Sequence, residues 1–230
     1  MYIINIILWS VLTIGLYYAG KIFSRRFPAW WSSPLMTAPL LLIAIALAFH
    51  VSYKEYISGT RWMITMLAPA TVAFAIPIYE QRALIKKHWF LLAGGVVVGS
   101  VTAMVSSWFL AELFGLNDQL RLSLLPRSLS TPFALIVSGE IGGTPGLTAV
   151  FVIITGLFGA TLGEILLKSL PLQSAIAKGS LFGMGAHAVG TAKAHRISSE
   201  IGAVSGLIMV LVGAVNVLAA PLIEAFLLNF

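Results

Sequence analysis

LPRSLSTP, residues 125–132, sets an arginine, two serines and a threonine between two prolines, in a chain whose long stretches otherwise carry almost no charge. Proline removes a backbone donor and breaks a helix interior. An arginine at the centre of a membrane helix costs roughly 2.5–3.5 kcal/mol on an insertion scale. Both are tolerated at membrane depth only where the backbone is buried in protein or lines a wet cavity. Reading this octet as interior rather than as surface loop decides the fold: an all-α polytopic membrane protein with interrupted segments. Thr131 is expected to cap a helix whose first residue is Pro132. The free N–H groups and positive dipole end of such a helix suit an anion, and Arg127 adds a charged fork with carboxylate geometry. The competing reading has Arg127 snorkelling to an interface.

Composition points the same way. Of 230 residues, 59% are hydrophobic and 10% are charged, against about 25% charged in a soluble domain. That excludes an ordinary soluble enzyme, a disordered tail and a nucleic-acid module. The basic surplus, 14 Lys and Arg against 8 Asp and Glu, sits in short clusters between apolar runs, as on the cytoplasmic side of a membrane protein. Cysteine is absent, so there is no disulfide framework and no thiolate chemistry.

Windows free of Asp, Glu, Lys and Arg run over residues 1–20, 27–53, 62–79, 89–111, 141–163 and 201–223. The first has neither a basic n-region nor a small-residue cleavage site and reads as a retained helix. The second holds a turn at Pro28 and then a helix from about Pro34. Two shorter windows, 128–139 and 179–192, fall below the roughly 20 residues a helix needs to cross. They read as broken or re-entrant. The expected total is seven or eight membrane segments in a single domain over residues 1–230. The basic clusters Lys21, Arg25, Arg26 and Arg82, Lys86, Lys87 put the N-terminus outside by the positive-inside rule. The side of the C-terminus depends on whether 120–139 crosses or returns. Trp30, Trp31, Trp62, Trp89 and Trp108 lie near window ends and read as interfacial anchors.

Two more breaks accompany the first. In LAPATVAFAIPIYEQ, residues 67–81, Pro69 and Pro77 interrupt one span, and Pro69, Ala70 and Thr71 form a candidate unwound crossing point; the plainer reading is a kinked helix without a ligand. In GMGAHAVGTAKAHR, residues 183–196, Gly183, Gly185 and Gly190 permit close approach or unwinding, while His187, Thr191 and Lys193 add donors. There the plainer readings are a helix–helix hydrogen bond, glycine packing, and a cytoplasmic cluster over 193–196. The candidate substrate-binding set is Pro69, Ala70, Thr71, Arg127, Ser128, Ser130, Thr131, His187, Gly190, Thr191 and Lys193. Pro69-Ala70-Thr71 and Gly185-Ala186-His187 lie half a chain apart, which gives a weak two-fold repeat with halves 1–115 and 116–230. Broken helices in corresponding positions of two halves point to a transporter's midplane site. No HExxH, Walker loop, GxSxG or sensibly paired carboxylates occur, so no enzyme activity, catalytic residue, metal site or cofactor is expected.

These breaks, with GGTPGLTAVFVI at 142–153, resemble the LrgB/CidB family of bacterial inner-membrane proteins, described as holin-like or antiholin-like. The family patterns PAxVAxAxPxYxQ, LPKSxTTP, GGIPxxxAVFVI and ASHxxGTArA have counterparts at 69–81, 125–132, 142–153 and 186–194. The plastid glycolate/glycerate transporter of plants looks like a fusion of this family with its small LrgA-type partner. Arg127 stands for the family's lysine, Ser130 for a threonine, Ala186 for a serine and Lys193 for an arginine. The resemblance implies a secondary transporter of small monocarboxylates such as glycolate, glycerate, lactate or pyruvate. It also implies residence in the bacterial inner membrane, a homodimer, and a small LrgA/CidA-like partner. Coupling to H⁺ through His187 is the matching expectation. The competing function is holin-like or antiholin-like regulation of murein hydrolase activity and lysis, without a substrate site.

Overall fold

The structure, a computed structural model, describes residues 2–27 and 32–227. Trp30, Trp31 and the turn at Pro28 lie outside the described residues. Among the described residues, five helical stretches are long and apolar enough to cross a membrane. The chain is an all-α, multi-pass membrane protein that divides into two compact units, residues 1–70 and 71–230.

In the first unit, α1 (Tyr2–Arg26) packs with α2 (Pro34–Ala48) and α3 (Tyr53–Thr65). Trp62 donates its indole N–H to Ser10 at 2.8 Å, so this tryptophan has a packing role in addition to its place near a window end. Residues 54–61, which fall between two charge-free windows, are helical. Ser52 accepts from the Glu55 N–H at 3.2 Å, the N-cap half of an S-x-x-E start. A window defined by the absence of charge could not see this amphipathic turn. The chain continues through α4 (Leu67–Ala73), which holds Pro69, Ala70 and Thr71 and runs across the boundary between the units.

The second unit continues with α5 (Ala75–Glu80), α6 (Arg82–Leu113) and α7 (Asp118–Leu124), then a 3₁₀ turn (Leu125–Ser128) and α8 (Thr131–Glu140). Next come α9 (Pro145–Ser169), α10 (Ala175–Gly185), α11 (His187–Ile197) and α12 (Ser199–Leu227). α12 is the central element: half of its apolar window is buried, and α5, α6, α8, α10 and α11 all pack on it.

The first short window returns rather than crosses. Beyond α8, the Thr144 N–H donates to Ser123 Oγ at 2.8 Å and Gln119 donates to Thr144 Oγ1 at 2.8 Å. The end of α8 therefore lies beside α7, and 118–140 is a re-entrant hairpin with its tip at 125–130. Buried hydroxyls tie this hairpin to α9. Thr148 Oγ1 donates to the Ser123 carbonyl at 2.9 Å and lies 2.7 Å from Ser138 Oγ. Thr148→Val keeps the shape and strands these partners. It is expected to cost about 1–2 kcal/mol, read as a lower Tm of the purified protein in detergent.

The second short window also returns. A side-chain carbon on Gly190 would collide with the carbonyl of Phe182, eight residues earlier, a contact that no straight helix allows. α10 and α11 are thus the arms of a hairpin with its tip at Ala186. Each arm has 11 residues, about 16 Å at 1.5 Å per residue and so roughly half the membrane core. α9 separates the points where the two hairpins begin, so they insert from opposite ends of the unit. The order short helix, break, short helix, long helix occurs twice, as α7–α8–α9 and as α10–α11–α12.

Candidate functional site

Residues near both tips border one small cavity in the interior. α9 shows one large and one small face: Val150, Ile154, Phe158, Leu162 and Ile165 are exposed, while Gly156, Gly159 and Gly163 lie against the second hairpin. Gly163 faces Phe182, Gly159 faces the Gly185 carbonyl, and Gly156 faces the His187 ring. Gly156 is near the midpoint of α9, so the second tip stops about halfway along that helix. A small cavity of about 10 Å³ is bordered by both tips, by Ser128 and Leu129 of the first and Met184 of the second, together with Ser100 and Asn216.

At the first tip, α8 begins one residue earlier than expected. Ser130 is the N-cap, Thr131 is the first helical residue and Pro132 the second. Ser130 is buried, and its side chain makes no capping bond. The α8 N-terminus thus keeps its early N–H groups uncapped by a side chain. Arg127 Nε donates to Ser107 Oγ at 2.8 Å, and Ser107 in turn donates to the Ala103 carbonyl at 2.6 Å. Among the described residues, no acceptor meets its Nη atoms and no carboxylate forms an ion pair with it. An arginine with one edge held and two nitrogens free is arranged for an external anion. Ser107→Ala is expected to lower carboxylate uptake about five- to tenfold, the worth of one charge-assisted hydrogen bond. Ser107→Thr is expected to restore most of it in the same uptake assay.

At the second tip, His187 opens α11 with φ 40°, a left-handed backbone that is costly for a side chain of this size. It is 3% exposed. Its Nε2 is 3.0 Å from the Val152 carbonyl, which fixes that nitrogen as the donor. Nδ1 has no partner among the described residues. A strained, buried imidazole with one free nitrogen is a functional candidate.

The other expected residues take different parts. Gly190 is a packing position in the hairpin. Thr191 bonds Ser205 Oγ at 3.0 Å on α12. Lys193 is held by Glu164 of α9 at 2.7 Å, which neutralises the charge expected to face a substrate. Pro69 and Ala70 belong to the first unit and Thr71 opens the second. The sequence reading missed Ser100, Ser107 and Asn216. The signal for Asn216 was present as a lone amide in the apolar run 206–223.

It also missed a cleft of about 680 Å³ at the end of the unit where the first hairpin starts. Glu112, Asp118, Glu140 and Glu224 line it, against Arg121 alone as a cation. Arg121 lies 4.8 Å from the centroid of the Trp108 ring, so this tryptophan shapes the cleft in addition to its place near a window end. Four of the chain's eight acidic residues converge here from α6, α7, α8 and α12. They are far apart in sequence, and only the fold gathers them.

Comparison with known proteins gives a consistent set of similarities. The model of the LrgB-like family matches residues 13–226. The chain is 38% identical over 213 residues to the uncharacterised protein YxaC of Bacillus subtilis, covering 93% of each. It is 39% identical over 216 residues to YwbG of the same organism, covering 94% of this chain and 96% of that one. It is 33% identical over 220 residues to the holin-like protein CidB of Staphylococcus aureus, covering 96% of each. No solved structure matches it.

Proposed function

Because this chain belongs to the LrgB-like family, we propose that it works where such a protein meets the inner membrane of a bacterium, as a secondary transporter of small monocarboxylates. The observation that carries this reading is the Arg127 guanidinium, held by Ser107 at a hairpin tip with its outer nitrogens open. The uncapped N-terminus of α8 and the strained His187 support it. So does the pair of re-entrant hairpins inserted from opposite ends, an arrangement suited to alternating access around a central site. A compact carboxylate is received by Arg127 and the helix N-terminus, and the small hydroxyls of Ser128 and Thr131 suit its polar substituents.

Charge supports an orientation. Arg82, Lys86 and Lys87 start α6, Lys168 ends α9, Lys178 starts α10 and Arg196 ends α11, all at the end opposite the acidic cleft. The positive-inside rule assigns that end to the cytoplasm, so the cleft opens outward. A bare anion arriving there meets four carboxylates and one guanidinium, which favours arrival together with a proton. His187 is the residue proposed to carry the coupling. The transporter is proposed to act as a homodimer with a small LrgA/CidA-like membrane partner.

The second reading, control of murein hydrolase activity and lysis by a holin-like mechanism, is favoured by the name of the relative CidB. It has no use for an anion fork. Uptake of labelled glycolate or pyruvate into proteoliposomes separates the two readings. The transport reading requires carboxylate uptake that depends on Arg127 and His187. Absence of uptake, with lysis phenotypes that ignore both residues, leaves the holin-like reading standing.

A further inference from the structure

Two backbone breaks set off the start of α6. Gln81, with φ −93° and ψ 16°, ends α5 and precedes α6, and His88, with φ −123° and ψ 24°, leaves helical geometry again. Residues 82–87 between them have two sides. Arg82, Lys86 and Lys87 are exposed, while Leu84 and Ile85 pack against the core of the second unit. Past His88, residues 89–111 carry no charge. As a helix they span about 34 Å, enough for a hydrocarbon core of about 30 Å. Trp89 and Phe90, 64% and 77% exposed, open that span, where aromatic side chains meet headgroups. Residues 82–87 therefore lie at headgroup level, held there by Leu84 and Ile85.

The cations there are open. Among the described residues, no carboxylate forms an ion pair with Arg82, Lys86 or Lys87, although the exposed Glu80 is close in sequence. Arg82 is fixed on one side only. Its Nη1 donates to the Tyr79 carbonyl at 3.0 Å, and its guanidinium carbon lies 4.4 Å from the centroid of the exposed Tyr79 ring. The rest of its fork meets no acceptor among the described residues and suits phosphate oxygens. Positions 82, 86 and 90 share one helix stripe, with 89 beside it. Along that stripe the cations give way to aromatic rings, the order in which a lipid presents its phosphate and its acyl chains. Three open cations against one carboxylate are complementary to a negative headgroup rather than a neutral one.

We propose that the elbow at residues 79–90 is a docking site for an anionic phospholipid, with the phosphate held by Arg82, Lys86 and Lys87 and the acyl chains laid along Trp89 and Phe90. It stands independently of the transport reading. The test is the melting temperature of the purified full chain in a neutral detergent, with added phosphatidylglycerol or phosphatidylcholine. Phosphatidylglycerol at tenfold excess over its Kd is expected to raise the Tm by about 4 °C relative to phosphatidylcholine, because the segment it grips is packed on the core. Arg82→Gln/Lys86→Gln/Lys87→Gln is expected to melt like wild type in phosphatidylcholine and to bind phosphatidylglycerol about tenfold or more weaker, each basic residue at an anionic surface being worth about fivefold. Lys168→Gln/Lys178→Gln/Arg196→Gln removes the same charge at the same end from three separate helices, and is expected to keep the gain. If the first triple variant is not recovered folded, Lys86→Gln/Lys87→Gln, which leaves Arg82 on Tyr79, reads the same gain. Three results overturn the proposal. They are no gain in wild type, an equal loss in both triple variants (diffuse surface charge), and the same gain from inorganic phosphate without lipid (a bare anion site).

Discussion

Arg127→Ala is expected to reduce labelled glycolate uptake by about a hundredfold, or about 3 kcal/mol of interaction with the anion, while the purified protein melts no lower than wild type. The two halves of this expectation have one cause. Arg127 makes a single hydrogen bond, to Ser107, and meets no carboxylate among the described residues. A guanidinium in that position costs the fold energy, roughly 2.5–3.5 kcal/mol at a helix centre, and one neutral partner returns only part of it. Removing it should therefore relieve the folded state and deprive only the anion. Arg127→Lys keeps the charge but loses the planar fork and the Nε bond, so an intermediate loss of about tenfold is expected. Uptake rates and melting temperatures measured on the same preparations decide it. If Arg127→Ala melts well below wild type, the arginine is a structural brace. If uptake is unchanged, its outer nitrogens have no anion to serve.

Gly159→Ala is the second large effect, and it acts on stability first. A methyl group there would strike the Gly185 carbonyl and come within 3.2 Å of Ala186 Cβ, so two backbones must part at the second hairpin tip. Overpacking of this kind costs typically 1–3 kcal/mol, and a backbone atom cannot turn aside as a side chain can. The displaced tip carries His187, which sits on the neighbouring Gly156. Uptake is therefore expected to fall with the melting temperature. Gly146 supplies the control. It lies on the same helix with nothing within 4 Å of an added carbon, and Gly146→Ala is expected to be neutral or to gain up to about 1 kcal/mol. Equal melting temperatures for the two variants would show that α9 does not grip the second hairpin through its glycines.

Much of the candidate site was legible in the sequence. Arg127, Ser130, Thr131 and His187 stood out because ionisable and hydroxyl side chains beside proline or glycine are costly in an apolar span. Each lies at or beside a hairpin tip. Lys193 stood out for the same reason, yet its charge is met by Glu164. Sequence spacing could not anticipate that pairing, because the two lie on different helices. Ser100, Ser107 and Asn216 were harder to see. A serine or asparagine in a membrane helix is common, and only its partner distinguishes packing from recognition.

The residues alone determined that the chain is helical, that it lives in a bilayer and where its helices break. Those properties follow from charge density, hydrophobic length, and the missing donor of proline, all of which act within a few neighbours. Whether a short polar window crosses or turns back was decided only by the fold. Ser123 meets Thr144, just past the second arm of the first hairpin, and Gly190 meets the Phe182 carbonyl across the arms of the second. Local preference is the same for a straight broken helix and for a bent one. The choice between them is made by what the two arms pack against, which is α9 and α12.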